Sequence, residues 1–279
     1  MNRLPMTIFT KPWKCSIEEL GEKLSVLGVD GIELPVRPGY PVNPDNALAE
    51  LPRAARTLAQ WGLKIYSVAA DPTEAVIEAC GRAGVPIVRV CERIDMSIGY
   101  QASVDAIKRR YAALVPALQK ASVKIGLQNH CGFFVGSAAG TMQVIGEFDP
   151  EQVGAVLDVA HCGLDGEPEA MAIDIVWSHL CMVNFKNAFR LRTNGPEAEE
   201  AAWRIYWTTG RHGIASWRKS VEVLAARGYA GPLCLPAEYS DPSGRGDLTG
   251  DAVLRLVQDD IAYLKSLLSA YTDAGGNGG

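Results

Sequence analysis

The chain has 279 residues, 48% of them hydrophobic and 21% charged, with a formal net charge of −5. That is enough apolar material for a sizeable core, and the mild acidic balance argues against nucleic acid or an anionic membrane surface as partner. No apolar run approaches the roughly 20 residues of a membrane span, and the opening MNRLPMTIFTKPWK lacks the apolar stretch and small-residue cleavage site of a secretory signal.

Taken in chain order, short apolar runs at 6–10, 31–35, 64–69, 86–91, 123–129, 154–158, 180–186 and 232–236 read as strands. Their nearly continuous hydrophobicity suits parallel strands covered on both faces. Between them apolar residues recur at helical spacing: Leu48, Leu51, Ala55, Leu58 and Trp61, then Val104, Ile107, Tyr111, Leu114 and Leu118, and last Val257, Ile261, Leu264 and Leu268. The turns at 27–31 and 227–231 each carry a glycine that ends a helix and leads into a strand. Eight such units without a linker predict an α/β fold, a single (β/α)8 TIM barrel over residues 1–270. An open doubly wound sheet is the alternative, and the even weight of the repeats favours closure. Residues 36–45 and 188–214 stand out as insertions, and residues 271–279, ending GGNGG, are expected as a disordered tail. Seven dispersed cysteines with no C-x-x-C pair fit reduced thiols in a cytoplasmic protein.

Barrel chemistry sits at the C-terminal ends of strands, so the polar residues there are the candidates. The fifth strand leads into Gln128-Asn129-His130, the sixth into Asp158-Val159-Ala160-His161, and the seventh into Asn184-Phe185-Lys186-Asn187. The eighth ends at Glu238-Tyr239, and Glu33 and Arg37 flank the end of the second. Four consecutive strands ending in oxygen- or nitrogen-bearing side chains point to a metal or a polar substrate.

In this order the segments resemble the xylose-isomerase-like sugar phosphate isomerase/epimerase family. Its fifth strand typically ends Glu-Asn-His, its sixth carries Asp-x-x-His, its seventh His-x-Lys-Asp, and its eighth ends in Glu. Residues Gly28-Val29-Asp30-Gly31-Ile32-Glu33-Leu34 are similar to its second-strand signature, and Arg37-Pro38-Gly39 to a segment of some branches. Gly210-Arg211-His212-Gly213 through Trp217 is similar to the stretch before the final glutamate. The resemblance implies an isomerase or epimerase acting on a sugar, sugar phosphate or related polyol through an enediolate, with a small carbohydrate as its partner. It also implies one divalent cation. Lyase or dehydratase chemistry on a similar substrate is the runner-up, as is a metal-depleted barrel that binds carbohydrate without turnover. The neighbouring endonuclease IV group needs more metal ligands than four histidines allow. Whether the chain forms a homo-oligomer stays open.

By position, the resemblance places the metal ligands at Gln128, Asp158, Asn184 and Glu238. Two neutral amides thus stand where the family has a carboxylate and an imidazole. Amide oxygens suit hard cations, so Mg²⁺, Mn²⁺ or Ca²⁺ is expected before Zn²⁺, with His130 and His161 available as further ligands. Gln128 has no proton-accepting carboxylate, which removes half of a two-glutamate mechanism. Glu238 is then the expected base and His161 the second acid/base. Glu33, Arg37, His130, Lys186 and Arg211 are the expected substrate contacts. Lys186 reads equally well as a cation paired with Glu238. Arg190 and Arg192 are further anion-binding candidates, and Trp13, Trp203, Trp207 and Trp217 are candidate walls of a sugar pocket.

Overall fold

Eight parallel strands close into a barrel in the computed structural model, which describes residues 4–244 and 246–274, with side chains through residue 270. The strands are β1 (Met6–Phe9), β2 (Gly31–Pro35), β3 (Lys64–Ala69), β4 (Ile87–Val90), β5 (Lys124–Gln128), β6 (Val153–Asp158), β7 (Leu180–Asn184), β8 (Asn187–Arg192), β9 (Trp203–Thr208) and β10 (Leu233–Leu235). Strands β1 to β7 pair in sequence, and β10 closes the ring between β7 and β1, with Met6 opposite Leu233 and Ile8 opposite Leu235. Strands β8 and β9 stand outside the ring as an antiparallel hairpin, Asn187 opposite Thr208 and Arg192 opposite Trp203. This hairpin is what the expected insertion at 188–214 becomes.

The helices are α1 (Ile17–Ser25), α2 (Ala47–Gln60), α3 (Glu74–Ala83), α4 (Tyr100–Ala121), α5 (Ala138–Ile145), α6 (Val159–Asp165), α7 (Glu169–Val176), α8 (Trp217–Ala226) and α9 (Leu254–Ala274). Local chemistry marks their ends. Ser16 and Glu19 form a reciprocal capping box on α1, and Gly84 takes a left-handed conformation (φ 68°) to end α3. Each helix lays one apolar face on the barrel. Leu24, Leu51, Leu58, Ile77, Leu118 and Leu264 are all fully buried there, at about 1.5–3 kcal/mol of transfer free energy apiece. The stripe read on α2 shifts: Leu51, Ala54 and Leu58 are buried, while Leu48 and Trp61 at the two ends of the helix face solvent. Helix α9 runs to Ala274, into the stretch expected as a tail, and residues 275–279 lie outside the described residues. Among the described residues no helix is long and apolar enough to cross a membrane.

Inside the ring, Phe9, Ala69, Ile87, Val156, Met182 and Cys234 form a separate apolar layer. Space is tight here: a Cβ on Gly126 would come within 2.7 Å of Val156 Cγ2. At the level of Phe9 the fill turns polar, with Glu33, Ser67 and Arg89 all buried, and from there the barrel opens into its C-terminal mouth.

Candidate active site

A cavity of about 480 Å³ occupies that mouth, a volume ordinary for a small-molecule site. Seven of the expected residues line it: Arg37, Gln128, His130, Asp158, Asn184, Lys186 and Glu238. Lys11, Asp71 and Arg89, from the ends of β1, β3 and β4, also line it and were not singled out from the sequence. Phe9 and Phe134 supply apolar wall. Of the tryptophans expected in that role, Trp13 and Trp217 are buried in the main core and Trp203 is exposed, while Trp207 packs against Lys186.

The centre of the cavity is a charge cluster. Lys186 follows Asn184 by two residues at the end of β7, and its Nζ lies 2.5 Å from Glu238 Oε2. The other carboxylate oxygen, Oε1, accepts a short hydrogen bond from Lys11 Nζ. Burial alone pushes the Glu238 carboxyl up, but the ammoniums of Lys186 and Lys11 outweigh it and hold it well below the usual carboxylate range. Burial likewise works against the Lys186 ammonium, and Glu238 and Asp158 overcome it, leaving that group above its ordinary value. Trp207, carried in by β9, places its ring 3.6 Å under Lys186 Nζ and packs edge-on against His161.

Asp158 ends β6 and caps α6. Its Oδ1 accepts from the backbone N–H of Ala160 and of His161, at 3.0 and 3.2 Å, and its Oδ2 accepts from Gln128 Nε2 at 3.1 Å. Burial raises its carboxyl to about 6 despite Lys186 and these donors. Asn129 ties the two strand ends together, its Oδ1 accepting from the Asp158 N–H at 2.8 Å. With Gln128 donating to Asp158, its own Oε1 is left with no donor, and Asn184 Oδ1 is in the same state. Two buried, unsatisfied acceptors lining one cavity, on the strands either side of Asp158, are uncommon in a folded chain and mark a place where a ligand belongs.

The two imidazoles lie against each other at a tilt of 35°, with ring centroids 4.0 Å apart. His130 Nδ1 faces the Cys131 carbonyl at 2.8 Å, so it carries the proton and Nε2 keeps its lone pair. His161 is the reverse: its Nδ1 accepts from the Cys131 N–H at 3.2 Å, and the proton sits on an unpartnered Nε2. Burial holds both rings below the ordinary histidine value, His161 much further than His130. His161 is fully buried behind His130 and does not line the cavity.

Two further expectations move. Glu33 is fully buried beneath the cavity, its Oε1 accepting from Arg89 Nε (3.1 Å) and Ser67 Oγ (3.0 Å) and its Oε2 from Arg89 Nη2 (2.5 Å). Arg89, not Glu33, therefore presents a polar group upward. Arg211 lies away from the mouth, its guanidinium 4.0 Å above the ring of Tyr263 on α9. That loop is drawn back by Asn187, whose Nδ2 donates to the carbonyls of Gly210 and Ala215 and whose Oδ1 accepts from Ala215 N.

The divalent ion that the resemblance implies meets a donor set whose carboxylates are already committed to other partners. Among the described residues, His130, Cys131 and His161 bring three ligand-capable atoms within 4.8 Å of one another, to one side of the four positions that the family resemblance marks. At those four positions the unpartnered amide oxygens suit a hard cation, but both oxygens of Glu238 already meet ammoniums and both oxygens of Asp158 already accept N–H donors. Unit charges about 4 Å apart repel by roughly 4 kcal/mol at an effective dielectric near 20, and a divalent ion doubles that. With its two lysines in place, the cluster does not fit a divalent ion.

A family model described as xylose isomerase-like TIM barrel matches residues 22–267. Among solved structures, an L-ribulose 3-epimerase superposes with a TM-score of 0.73 at 15% identity, covering 98% of this chain and 97% of that one. D-psicose 3-epimerase of Clostridium cellulolyticum H10 gives 0.68 at 13% identity, covering 95% and 99%. A probable 3-DHS dehydratase of Bacillus anthracis gives 0.68 at 15% identity, covering 94% and 99%. No curated protein matches the sequence. At these identities the likeness establishes the fold alone.

Proposed function

We propose that this chain, which belongs to the xylose isomerase-like TIM barrel family, is an enzyme that moves a proton on the carbon beside a carbonyl in a small polyhydroxylated substrate. Its reaction is the isomerisation or epimerisation of a sugar. The observation that carries this reading is the pair of unpartnered amide oxygens, Gln128 Oε1 and Asn184 Oδ1, buried beside an ammonium–carboxylate cluster in one cavity. Amide oxygens accept, so they call for donors, and neighbouring hydroxyls of a polyol supply them. The ammonium of Lys186 donates, and a carbonyl oxygen accepts from it. Arg37 lines the same cavity and suits a phosphate or carboxylate on the substrate's far end.

His130 is the group we assign to carry the proton. Its Nδ1–H is given to the Cys131 carbonyl, so Nε2 keeps a lone pair at a residue that lines the cavity. The acid/base role expected for His161 passes to it, because His161 is buried behind it. The role of base expected for Glu238 is likewise reassigned: with an ammonium on each oxygen, Glu238 braces Lys186. No step is routed through a metal ion. Two structural neighbours, an L-ribulose 3-epimerase and a D-psicose 3-epimerase, support the reading. The dehydratase neighbour favours a second one, in which the same enediolate expels a hydroxyl from the next carbon. Seven free thiols, four of them buried, suit the reducing conditions of the cytoplasm.

Solvent exchange tests the shared first step without knowing the product. Incubated in D₂O with a panel of ketoses, aldoses and their phosphates, the protein should wash deuterium into the carbon beside the carbonyl of at least one, read by proton NMR. Substituting His130→Gln should slow that exchange by about 10²–10⁴. Saturable sugar binding with no exchange on any member would instead mean a carbohydrate-binding barrel.

A further inference from the structure

We propose that Lys186, braced by Glu238 and backed by Lys11, supplies the positive charge that the family resemblance assigns to a divalent ion, and that the site works on its substrate without metal. This rests on the reading of the cavity as a centre for proton transfer beside a carbonyl. Three features of the cluster carry it. Lys186 is built in rather than adrift: it is 6% exposed, pinned between Glu238 and the ring of Trp207, and its backbone carbonyl accepts from Trp217 Nε1 at 3.0 Å. The charges of the cluster cancel, with Asp158 and Glu238 set against Lys11 and Lys186, so no surplus of anion is left to draw in a dication. Finally, Gln128 turns its NH₂ toward Asp158, whereas a cation shared by the two residues would require its oxygen there.

The ammonium has the donor the chemistry needs. Of its three N–H directions one is given to Glu238 and one faces the ring of Trp207, which leaves one for substrate oxygen. The step balances within the chain and its substrate. The proton on the carbon beside the carbonyl passes to His130 Nε2, and the C–H electron pair becomes the new carbon–carbon π bond. The carbonyl π pair moves onto oxygen, where the Lys186 ammonium meets the developing negative charge. Return of the proton to the opposite face of the same carbon, after the enediolate turns over against His130, completes epimerisation. Return to the former carbonyl carbon, with a proton passed from one oxygen to the other, completes isomerisation. No oxidant or reductant takes part. Lys11, 40% exposed, is the outer member that keeps Glu238 neutralised while Lys186 turns to substrate.

The test pairs a metal titration with the exchange assay. Chelator-stripped wild-type protein is titrated with Mn²⁺, free ion being read by electron paramagnetic resonance, and the stripped protein is also assayed for exchange in D₂O. Expected are no stoichiometric Mn²⁺ and undiminished exchange. Lys186→Met should lower exchange by about 10²–10³, and Lys186→Arg should recover part of it. The double substitution of Lys11→Met and Lys186→Met uncovers two carboxylates beside two amide oxygens and should gain a Mn²⁺ site. One equivalent of Mn²⁺ in the wild type, with exchange abolished by the chelator, overturns the proposal, and this measurement needs no variant to fold. Should no sugar exchange with or without metal, it is the proton-transfer reading that fails. The titration then decides the cation's place alone, Mn²⁺ in the wild type counting against Lys186 and its absence counting for it.

Discussion

Two carboxylates inside this barrel are each held by cations, and they are held in opposite ways. Glu33 meets a planar guanidinium that binds both its oxygens, with Ser67 as a third donor, and the pair is 0% and 5% exposed. Glu238 meets two ammoniums on flexible stems, itself 15% exposed and with Lys11 at 40%. The Arg89 fork is rigid and committed, Nε and Nη2 to Glu33 and Nη1 to Cys91 Sγ, whereas an ammonium is a point charge that keeps a donor in reserve. The lower pair is therefore wall and the upper cluster machinery. Arginine fixes the floor on which lysine works.

Breaking the lower pair should have the larger effect. Arg89→Met leaves Glu33 in the barrel with no cation and only Ser67 as donor, and removing one partner of a buried pair costs about 3–5 kcal/mol. Urea unfolding should show that loss, and Arg89→Lys should restore little because the fork is gone. Breaking the upper cluster should instead strike function. Glu238→Gln should lower exchange about a hundredfold, since Lys186 loses its brace, while stability falls by only about 1–2 kcal/mol. Glu238→Asp, keeping the charge, should recover part of kcat with KM little changed. Equal destabilisation by Arg89→Met and Glu238→Gln would erase the distinction between the two carboxylates.

The barrel was legible because each β/α unit writes its own signal: a buried apolar run, a glycine turn, an amphipathic helix. So was the convergence of Gln128, Asp158, Asn184 and Glu238, which follows once strand ends share one mouth. What could not be read was the partner of each charge. Glu33 looked like a contact because it ends an apolar strand, and only the closed ring brings it against Arg89 two strands away. Arg89 did leave a trace, a charge inside the apolar run PIVRVC, where burial without a partner is prohibitive. Lys11 and Asp71 follow the first and third strands, and the same strand-end rule applied there would have found both. The burial of His161 was hidden, because α6 starts directly after β6 and its first turn folds the ring behind His130. Trp207 belongs to a hairpin of which the sequence marked the length and not the docking.

A third carboxylate, Asp260 on α9, sharpens the comparison because among the described residues no cation pairs with it, and Arg211 acts on it only from a distance. Its oxygens accept from Gly210 N at 2.7 Å and Tyr239 Oη at 2.8 Å, and burial pushes it up to about 7. A carboxyl raised above its ordinary value of 3.8 binds its proton more tightly folded than unfolded. Its contribution to stability is therefore complete below pH ~4 and fades as pH climbs toward about 7. Asp260→Asn is neutral throughout and keeps one acceptor for Gly210, while the Tyr239 hydroxyl can turn to accept from the new NH₂. The expected effect is the smallest of the three, a change of slope rather than a loss. Thermal unfolding followed from pH 4 to 8 should show the variant level with wild type at the acid end and ahead of it at the alkaline end. A wild-type curve that is flat or rising across that window, unchanged by the substitution, would place the missing cation on Asp260 after all.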